Sequence, residues 1–281
     1  MSDPRPRLCV LASGSSGNCA VVSLPGPAPS LIMIDAGLSP RRTRTWLAVL
    51  GVSLEQVAAV VLTHLDSDHW NPAWVDELPA STPIFLHERH TRAGWSLGVP
   101  RESTRAFDGE LNIVPGVGVR ATLARHDELG SSALRFDFEQ GSLGYATDVG
   151  MLTRGLVGLL RGVDTLAIES NYCPRLQAAS ARPEFLKRRI MGGRGHLSNQ
   201  ESRRAVDAIG PRRHVVLLHL SRECNRPEIA AEHHAGAAYA LTLSRHDAPT
   251  GWIEIEGGAK QDPPGRQWDL FASASSVGSR A

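Results

Sequence analysis

The sequence is poor in cysteine, lysine and aromatic residues, and it contains no long apolar run. Its four cysteines form no CxxC pair and are too few among 281 residues for a disulfide scaffold. No stretch approaches the ~18 apolar residues that a membrane-spanning helix needs. The first residues also lack the apolar stretch of ~7–15 residues found in secretory signals. We therefore expect a globular, cytoplasmic protein.

The overall charge excludes little, because 30 Lys and Arg residues balance 29 Asp and Glu residues. The distribution of basic residues is more informative. Between positions 175 and 194, a single acid accompanies six basic residues: Arg175, Arg182, Lys187, Arg188, Arg189 and Arg194. Guanidinium groups match the geometry of phosphate oxygens, so this segment can bind a nucleic-acid backbone. A solvated, arginine-rich face is the alternative.

The pattern of apolar runs predicts a layered α/β (α+β) domain over residues 1–260, followed by a flexible tail over 261–281 that is rich in Pro, Gly, Ser and Ala. Ser39 and Pro40 predict one helix start, and Ser198 with Glu201 predicts another. An alanine-rich helix is expected over residues 227–243. Short β-branched runs predict strands near residues 8–11, 20–23, 31–35, 57–62, 84–86, 143–146, 165–168, 215–218 and 252–255.

The segment 60–71 carries the strongest chemical signal. An apolar strand runs into a turn that bears His64, Asp66, Asp68 and His69 within six residues. Two histidines on either side of two aspartates have no helix-capping explanation, and all four are metal ligands by type. The sequence therefore predicts a cation site at the end of this strand.

Three further residues of ligand type follow later apolar runs. These are His126, Asp148 and His219. Each alone is explained as an ordinary core or surface residue. Taken with the first cluster, they predict one shared metal centre.

The full pattern resembles the metallo-β-lactamase-fold hydrolases, and within them the YycJ (WalJ)-like subgroup. The matching segments are ASGSSGNC (12–19), DAGLS (35–39), ESNY (169–172), GHLSN (195–199) and LHLS (218–221). The resemblance implies an αββα sandwich of two mixed sheets flanked by helices, with two divalent metal ions at one edge between the sheets.

The resemblance also implies roles for individual residues. His64, Asp66 and His126 would bind the first metal, Asp68, His69 and His219 the second, and Asp148 both. A water activated by the two ions would attack the substrate, and Asp68 would orient it. His196 and Glu169 match the pair that other nucleic-acid-processing members place at the scissile phosphate.

This sequence departs from the usual family motif at Asp66, where the family has histidine. Three carboxylates, from Asp66, Asp68 and Asp148, would then face the two ions. Oxygen-rich ligand sets favour manganese or iron over zinc, although zinc stays open.

The resemblance implies a nuclease, and DNA exonuclease activity is the leading hypothesis. Substrate contacts are predicted from Asn18, Ser198, Ser221, Arg188, Arg189 and Arg194. A small-molecule phosphodiesterase acting on cyclic or nucleoside phosphodiesters is the alternative, and a redox di-iron or metal-binding scaffold protein is a third hypothesis. The oligomeric state is not predicted.

The tail contains a further short motif. Residues 267–271, Gln-Trp-Asp-Leu-Phe, resemble the pentapeptide by which bacterial replication and repair proteins bind the sliding clamp. Gln267, Leu270 and Phe271 would make the contacts, since apolar anchors in an unstructured segment suit a shallow groove. Packing of these side chains on their own domain is the alternative.

Overall fold

Two mixed β-sheets face each other in a computed structural model that describes residues 5–26, 30–114 and 117–257. The first sheet has the order β14-β1-β2-β3-β4-β5-β6. Its strands are β1 (Arg7–Ala12), β2 (Cys19–Leu24), β3 (Ser30–Ile34), β4 (Val57–Leu62), β5 (Ile84–His87), β6 (Thr104–Phe107) and β14 (Ile253–Glu254).

The second sheet has the order β13-β12-β11-β10-β9-β8-β7. Its strands are β7 (Glu110–Leu111), β8 (Gly118–Ala124), β9 (Ser131–Phe138), β10 (Gly141–Ala146), β11 (Thr165–Glu169), β12 (His214–Leu218) and β13 (Ala240–Leu243). In each sheet one run of neighbouring strands is parallel, β3 to β6 in the first and β10 to β13 in the second.

Helices cover the outer face of both sheets, so the predicted αββα arrangement is confirmed. The helices are α1 (Pro40–Val49), α2 (Glu88–Ser96), α3 (Arg154–Leu160), α4 (Pro174–Ala179), α5 (Glu184–Met191), α6 (Asn199–Ile209) and α7 (Pro227–Glu232). Leu47 of α1 packs on the first sheet, and Leu156 of α3 with Val206 of α6 packs on the second. None of the helices in the described residues is both long and apolar enough to cross a bilayer.

The two-residue period of the strands explains the three apolar layers. In β4, Val61 faces the second sheet, whereas Val60 and Leu62 face the helices on the opposite side. Leu134 and Phe136 of β9 meet Val61 in the central layer. Each such side chain contributes ~1.5–3 kcal/mol when fully buried.

Both predicted helix starts are confirmed. The Ser39 side chain accepts a hydrogen bond from the Arg42 N–H, and Pro40 occupies the first turn of α1. Ser198 and Glu201 form a reciprocal capping box at the start of α6. These contacts satisfy N–H groups that have no partner within the helix.

The expected alanine-rich helix over residues 227–243 is wrong. Helix α7 ends at Glu232, and Gly236 adopts a φ of +72°. Residues 240–243 instead form β13, which pairs with β12 in parallel. An exposed edge of the sheet therefore overrides the helix preference of alanine, as tertiary pairing often does. The tail over 261–281, with Gln267, Leu270 and Phe271, lies outside the described residues.

Candidate active site

The candidate site lies where the carboxyl ends of the parallel strands of both sheets meet. Asp35 and His64 follow β3 and β4 of the first sheet. Asp148 follows β10, Glu169 ends β11 and His219 follows β12 in the second sheet. The predicted metal ligands therefore converge at one edge of the sandwich, as side chains at the carboxyl ends of parallel strands do in other α/β folds.

One group of ligand atoms comprises His64, Asp66 and His126. Oδ2 of Asp66 is 3.8 Å from Nε2 of His64 and 3.7 Å from Nε2 of His126. The Nδ1–H of His126 donates to the Gly195 carbonyl at 2.9 Å, which turns Nε2 toward the group. The neighbouring His126 imidazole lowers the pKa of the Asp66 carboxyl to about 2.

Asp148 lies between this group and the histidines on the other side. Its Oδ2 is 3.1 Å from Nε2 of His69, and its Oδ1 is 3.0 Å from Nδ1 of His219 and 4.0 Å from Nε2 of His126. The Thr147 hydroxyl donates to Oδ2 at 2.7 Å. Burial opposes ionisation, but His219 and His69 hold the pKa of Asp148 well below its ordinary value. Asp148 is thus a buried anion shared by both halves of the cluster.

His69 is oriented by a carboxylate that the sequence did not single out as a site residue. Asp35 accepts a hydrogen bond from Nδ1 of His69 at 2.8 Å and is fully buried. The Thr63 backbone N–H donates to Asp35 at 2.7 Å. This hydrogen bond orients the ring of His69 so that its Nε2 faces Asp148. The position of Asp35 at the end of β3 was the signal that could have identified it.

His64 has the ring nitrogen best suited to coordinate a metal ion. Its Nε2 is buried and has no hydrogen-bond partner among the described residues. Burial, together with the charge of His69, holds the pKa of His64 well below its ordinary value. The imidazole is therefore neutral, and its Nε2 faces Asp66 in the cluster.

Asp68 completes the second side of the cluster. Its Oδ2 is 3.7 Å from Nε2 of His69 and 3.6 Å from Nε2 of His219. The Asn18 amide donates to Oδ2 at 3.1 Å. Gly37 packs so closely on this loop that a Cβ there would lie 1.7 Å from the Asp68 carbonyl oxygen. Both neighbours fix the position of the loop that carries Asp66, Asp68 and His69.

His196 and Glu169 form a pair beside Asp148. Nδ1 of His196 is 2.6 Å from Oε1 of Glu169, a fully buried carboxylate. The other oxygen of Glu169 accepts the N–H groups of Val149 and Leu197 at 2.8 and 3.2 Å. Burial opposes ionisation of Glu169, but His196 lowers its pKa. The pair therefore fixes the ring of His196 with Nε2 left free.

These groups open into a cavity of about 270 Å³, which we call the catalytic cavity. Asp66, Asp68, Asp148 and His196 lie in its wall, and α5 with the segment before it supplies Arg182 and Arg189. Arg182 pairs with Glu223 at 2.9 Å, and Arg189 bonds Asp127 through Nε at 3.0 Å. The cavity thus combines an anionic floor with a cationic rim.

The predicted substrate-binding residues are placed unevenly. Ser221 and Arg189 line the catalytic cavity, whereas Arg188, Arg194 and Ser198 do not. Ser198 is occupied as the cap of α6. Asn18 is buried behind Asp68, where its amide bonds to the loop of Ser13 and Gly14.

Three residues of the cluster adopt left-handed backbone conformations. The φ values are +59° at Asp35, +52° at Asp148 and +54° at His219. A non-glycine residue held in this region costs about 1–3 kcal/mol. Each of the three follows a strand, so a sharp turn of the chain aims its side chain into the site.

Comparison with known proteins identifies relatives across most of the chain. The family model described as "Beta-lactamase superfamily domain" matches residues 31–220. The chain is 27% identical over 226 residues to "Exodeoxyribonuclease YycJ" of Bacillus anthracis, covering 79% of this chain and 84% of that protein. It is also 27% identical over 237 residues to "Exodeoxyribonuclease WalJ" of Streptococcus pneumoniae, covering 82% and 87%.

Solved structures share the fold at low identity. The metallo-β-lactamase fold protein YhfI of Bacillus subtilis superposes with a TM-score of 0.65 at 15% identity, over 87% of this chain and 98% of that one. A diphosphatase of the PhnP family gives a TM-score of 0.63 at 19% identity, over 90% and 98%. The short form of human tRNase Z gives 0.60 at 14% identity, over 89% and 99%.

Proposed function

The chain belongs to the β-lactamase superfamily as a YycJ-like metallo-β-lactamase-fold hydrolase, and from this premise we propose that it is a cytoplasmic, metal-dependent nuclease that removes nucleotides from DNA ends. The observation that carries the proposal is the pairing of His196 with Glu169 beside the cluster centred on Asp148. Members of the superfamily commonly have a metal-ligand cluster. An oriented imidazole beside that cluster suits the hydrolysis of a phosphodiester, in which the leaving oxygen must gain a proton.

The cluster fits divalent cations. Nε2 of His64 is buried and has no hydrogen-bond partner among the described residues, and Asp35 and Gly195 orient the rings of His69 and His126. We propose that His64, Asp66 and His126 hold one ion and that Asp68, His69 and His219 hold a second. Asp148, which lies within 4.0 Å of His69, His126 and His219, would contact both.

Bound ions would lower the pKa of a coordinated water and polarise the phosphoryl group. Asp68 would orient the attacking water, because its carboxylate lies in the cavity wall and is steadied by the Asn18 amide. His196 would donate a proton to the leaving oxygen or stabilise charge on the phosphoryl oxygens. Glu169, by accepting a hydrogen bond from the Nδ1–H, would stabilise the cationic ring that carries this second proton on Nε2.

The donor set favours manganese or iron over zinc. Asp66 supplies an oxygen where the family motif has a nitrogen, and its pKa of about 2 keeps it ionised at neutral pH. With Asp68 and Asp148, three carboxylates would face the ions. Hard oxygen donors suit Mn²⁺ better than a set dominated by histidine does.

The rim of the catalytic cavity supports a nucleic-acid substrate. Arg182 and Arg189 lie in its wall, and Arg188 follows on α5. Phe185, one helical turn from Arg189, is 68% exposed. Proteins bind single-stranded nucleic acid by combining cationic side chains, which contact the phosphates, with exposed aromatic rings, on which the bases stack. Both curated relatives described above are named as exodeoxyribonucleases, which favours DNA over RNA.

The test is an assay of the protein purified without chelator. Bound metals are measured, and end-labelled single- and double-stranded DNA and RNA are incubated with added Mn²⁺ beside an Asp68→Asn control. We expect stepwise shortening of DNA from one end that the control lacks. Internal cleavage without end dependence would contradict the exonuclease proposal, and hydrolysis of RNA alone would contradict the DNA preference.

A small-molecule phosphodiesterase is the second candidate, because a cavity of about 270 Å³ is small for a polymer. The double variant Arg188→Glu/Arg189→Glu separates the two. If the substrate is a polymer, this variant should lose activity on DNA far more than on bis(p-nitrophenyl) phosphate. Equal loss on both substrates would favour the small-molecule function.

The segment 267–271 is proposed separately as a sliding-clamp contact. A pulldown of the clamp from a purified mixture should be lost when Leu270 and Phe271 become alanine. An unchanged pulldown would exclude the contact.

A further inference from the structure

A second cavity of about 510 Å³ adjoins the catalytic cavity. The two share Ser221 as a wall residue. They also share one glycine-rich loop, since Ser15 lines the catalytic cavity and Ser13 lines the second. The two cavities therefore lie next to each other, on either side of Ser221.

We propose that this second cavity is a nucleotide subsite, which holds the sugar and base of the nucleotide next to the scissile phosphate in a DNA strand. The inference rests on the proposed nuclease function and extends it, because it makes the substrate a strand of at least two nucleotides. No part of it requires a metal ion in the second cavity.

The path of the chain after β12 builds the common wall. His219 lines the catalytic cavity, Leu220 lines the second, and Ser221 lines both. The backbone bends at His219, where φ is +54°, so that His219 and Leu220 face different cavities. The Ser13 hydroxyl accepts the His219 N–H at 2.9 Å, which ties the glycine-rich loop to this bend.

Size and lining distinguish the two cavities. The catalytic cavity is walled by carboxylates, imidazoles and arginines, and at about 270 Å³ it suits a phosphodiester group. The second, at about 510 Å³, lies in the range of ~300–1,000 Å³ typical of ligand pockets. Leu220, Pro227 and Leu243 give it an apolar surface on which a base can pack.

Of the arginines in the second cavity, Arg222 has a guanidinium without a partner among the described residues. Arg245 lies 3.0 Å from Asp247, and Arg226 donates to the backbone carbonyls of Arg222 and Asn225. Arg222 is exposed, and no described residue pairs with its guanidinium. Glu228 is the remaining acid in the wall. A guanidinium at this rim matches a backbone phosphate of the strand.

The wall is held in place before any ligand arrives. Asn225 is 2% exposed, and its amide donates to the carbonyls of Ser170 and Asn171 at 2.9 Å each. Its side-chain oxygen accepts from the Asn199 amide at 2.9 Å. These bonds fix the loop between β12 and α7, which reduces the ordering cost of binding.

The test compares Arg222→Glu with the wild type and with Arg204→Glu. Arg204 is an exposed arginine of α6 that lines neither cavity, so it provides the same charge change elsewhere. The first measurement is fluorescence anisotropy of a labelled 20-nucleotide DNA strand in EDTA over a range of salt concentrations. We expect Arg222→Glu to weaken binding at least tenfold, and Arg222→Ala to lower the slope of log K against log salt by about 1. Arg204→Glu should leave affinity within about twofold.

The second measurement is kcat/KM on that strand, on a dinucleotide and on bis(p-nitrophenyl) phosphate. Arg222→Glu should lower the ratio of strand to bis(p-nitrophenyl) phosphate activity at least tenfold. Melting temperature confirms that all variants fold. An unchanged ratio with an active wild type would overturn the subsite and leave the nuclease proposal standing. A wild type that hydrolyses bis(p-nitrophenyl) phosphate but no DNA would overturn both.

Discussion

Nδ1 of His196 lies 2.6 Å from Oε1 of Glu169, and that carboxylate is fully buried while the imidazole reaches the catalytic cavity. The contact is a hydrogen bond from the Nδ1–H to Glu169, so the proton given to a leaving oxygen must be a second one, carried on Nε2. The action proposed for the imidazole on a leaving oxygen can therefore be tested separately from metal binding.

Replacing His196 with Gln is expected to lower kcat on DNA by about 10²–10⁴, the usual contribution of a general acid. The loss should be much smaller on bis(p-nitrophenyl) phosphate, because p-nitrophenolate leaves without protonation. Metal content, measured in parallel, should stay at the wild-type value. Equal losses on the two substrates would exclude a role in leaving-group protonation.

Replacing Asp66 with His is expected to shift metal preference toward zinc, since a nitrogen donor takes the place of a carboxylate. The measurement is metal content after competition between equal amounts of Zn²⁺ and Mn²⁺. Asp66→Asn serves as the comparison, because it removes the charge and supplies no imidazole. If Asp66→His and the wild type take up the same ratio of metals, Asp66 is not a ligand.

Replacing Gly37 with Ala is expected to displace the loop that carries Asp66, Asp68 and His69. The added Cβ would lie 1.7 Å from the Asp68 carbonyl oxygen, so the backbone must move. We expect a loss of about 1–3 kcal/mol in the free energy of unfolding, typical of overpacking, together with reduced metal binding.

Gly158 of α3 provides the matched control for Gly37. A Cβ there meets no atom within 4 Å, and the residue is helical. Gly158→Ala should therefore stabilise the protein by up to about 1 kcal/mol. Urea denaturation checks both variants, and an unaltered stability and metal content in Gly37→Ala would contradict the close packing.

Replacing Phe185 with Ala is expected to weaken binding of single-stranded DNA by about 1–3 kcal/mol, the contribution of one stacked base. Phe185→Trp should retain affinity because a ring remains. Val49→Ala is the control, since Val49 is 65% exposed at the end of α1. Anisotropy measures all three, and equal weakening by Phe185→Ala and Val49→Ala would contradict stacking.

His90 predicts a dependence of stability on pH. Burial lowers its pKa to about 4, although the hydrogen bond from Nε2 to the Gly130 carbonyl opposes this shift. Nδ1 is buried without a hydrogen-bond partner among the described residues. The unfolded chain, with a His pKa near 6.5, takes up a proton first as pH falls. Stability from this group is therefore present above pH 6.5 and lost between pH 6.5 and about 4. Urea denaturation of His90→Gln should show a shallower loss over that window, and an identical profile would contradict the prediction.

The residues predicted as metal ligands converge in the structure because several of them follow apolar strands. The run 57–62 matches β4, and the polar turn after it carries His64 to His69. Asp148 and His219 follow strands in the same way. The signal is local at each position, and the fold brings these positions together at one edge.

What the sequence did not predict depends on contacts between distant residues. Asp35 has its role only because the carboxyl ends of β3 and β4 lie side by side. Strands β8 and β9 lack continuous apolar runs, since several of their positions are only half-buried. Strand β13 depends on the free edge of β12, which no pattern within residues 240–243 indicates.

The left-handed backbone at Asp35, Asp148 and His219 lowers the stability of this chain while it positions three side chains of the cluster. Glycine at any one of the three would relax the local conformation while deleting a side chain of the cluster. Selection for heat resistance alone, applied to a library of variants, would accordingly enrich hardier proteins that have lost their chemistry. Thermostabilised variants of this enzyme therefore need an activity screen alongside the thermal one.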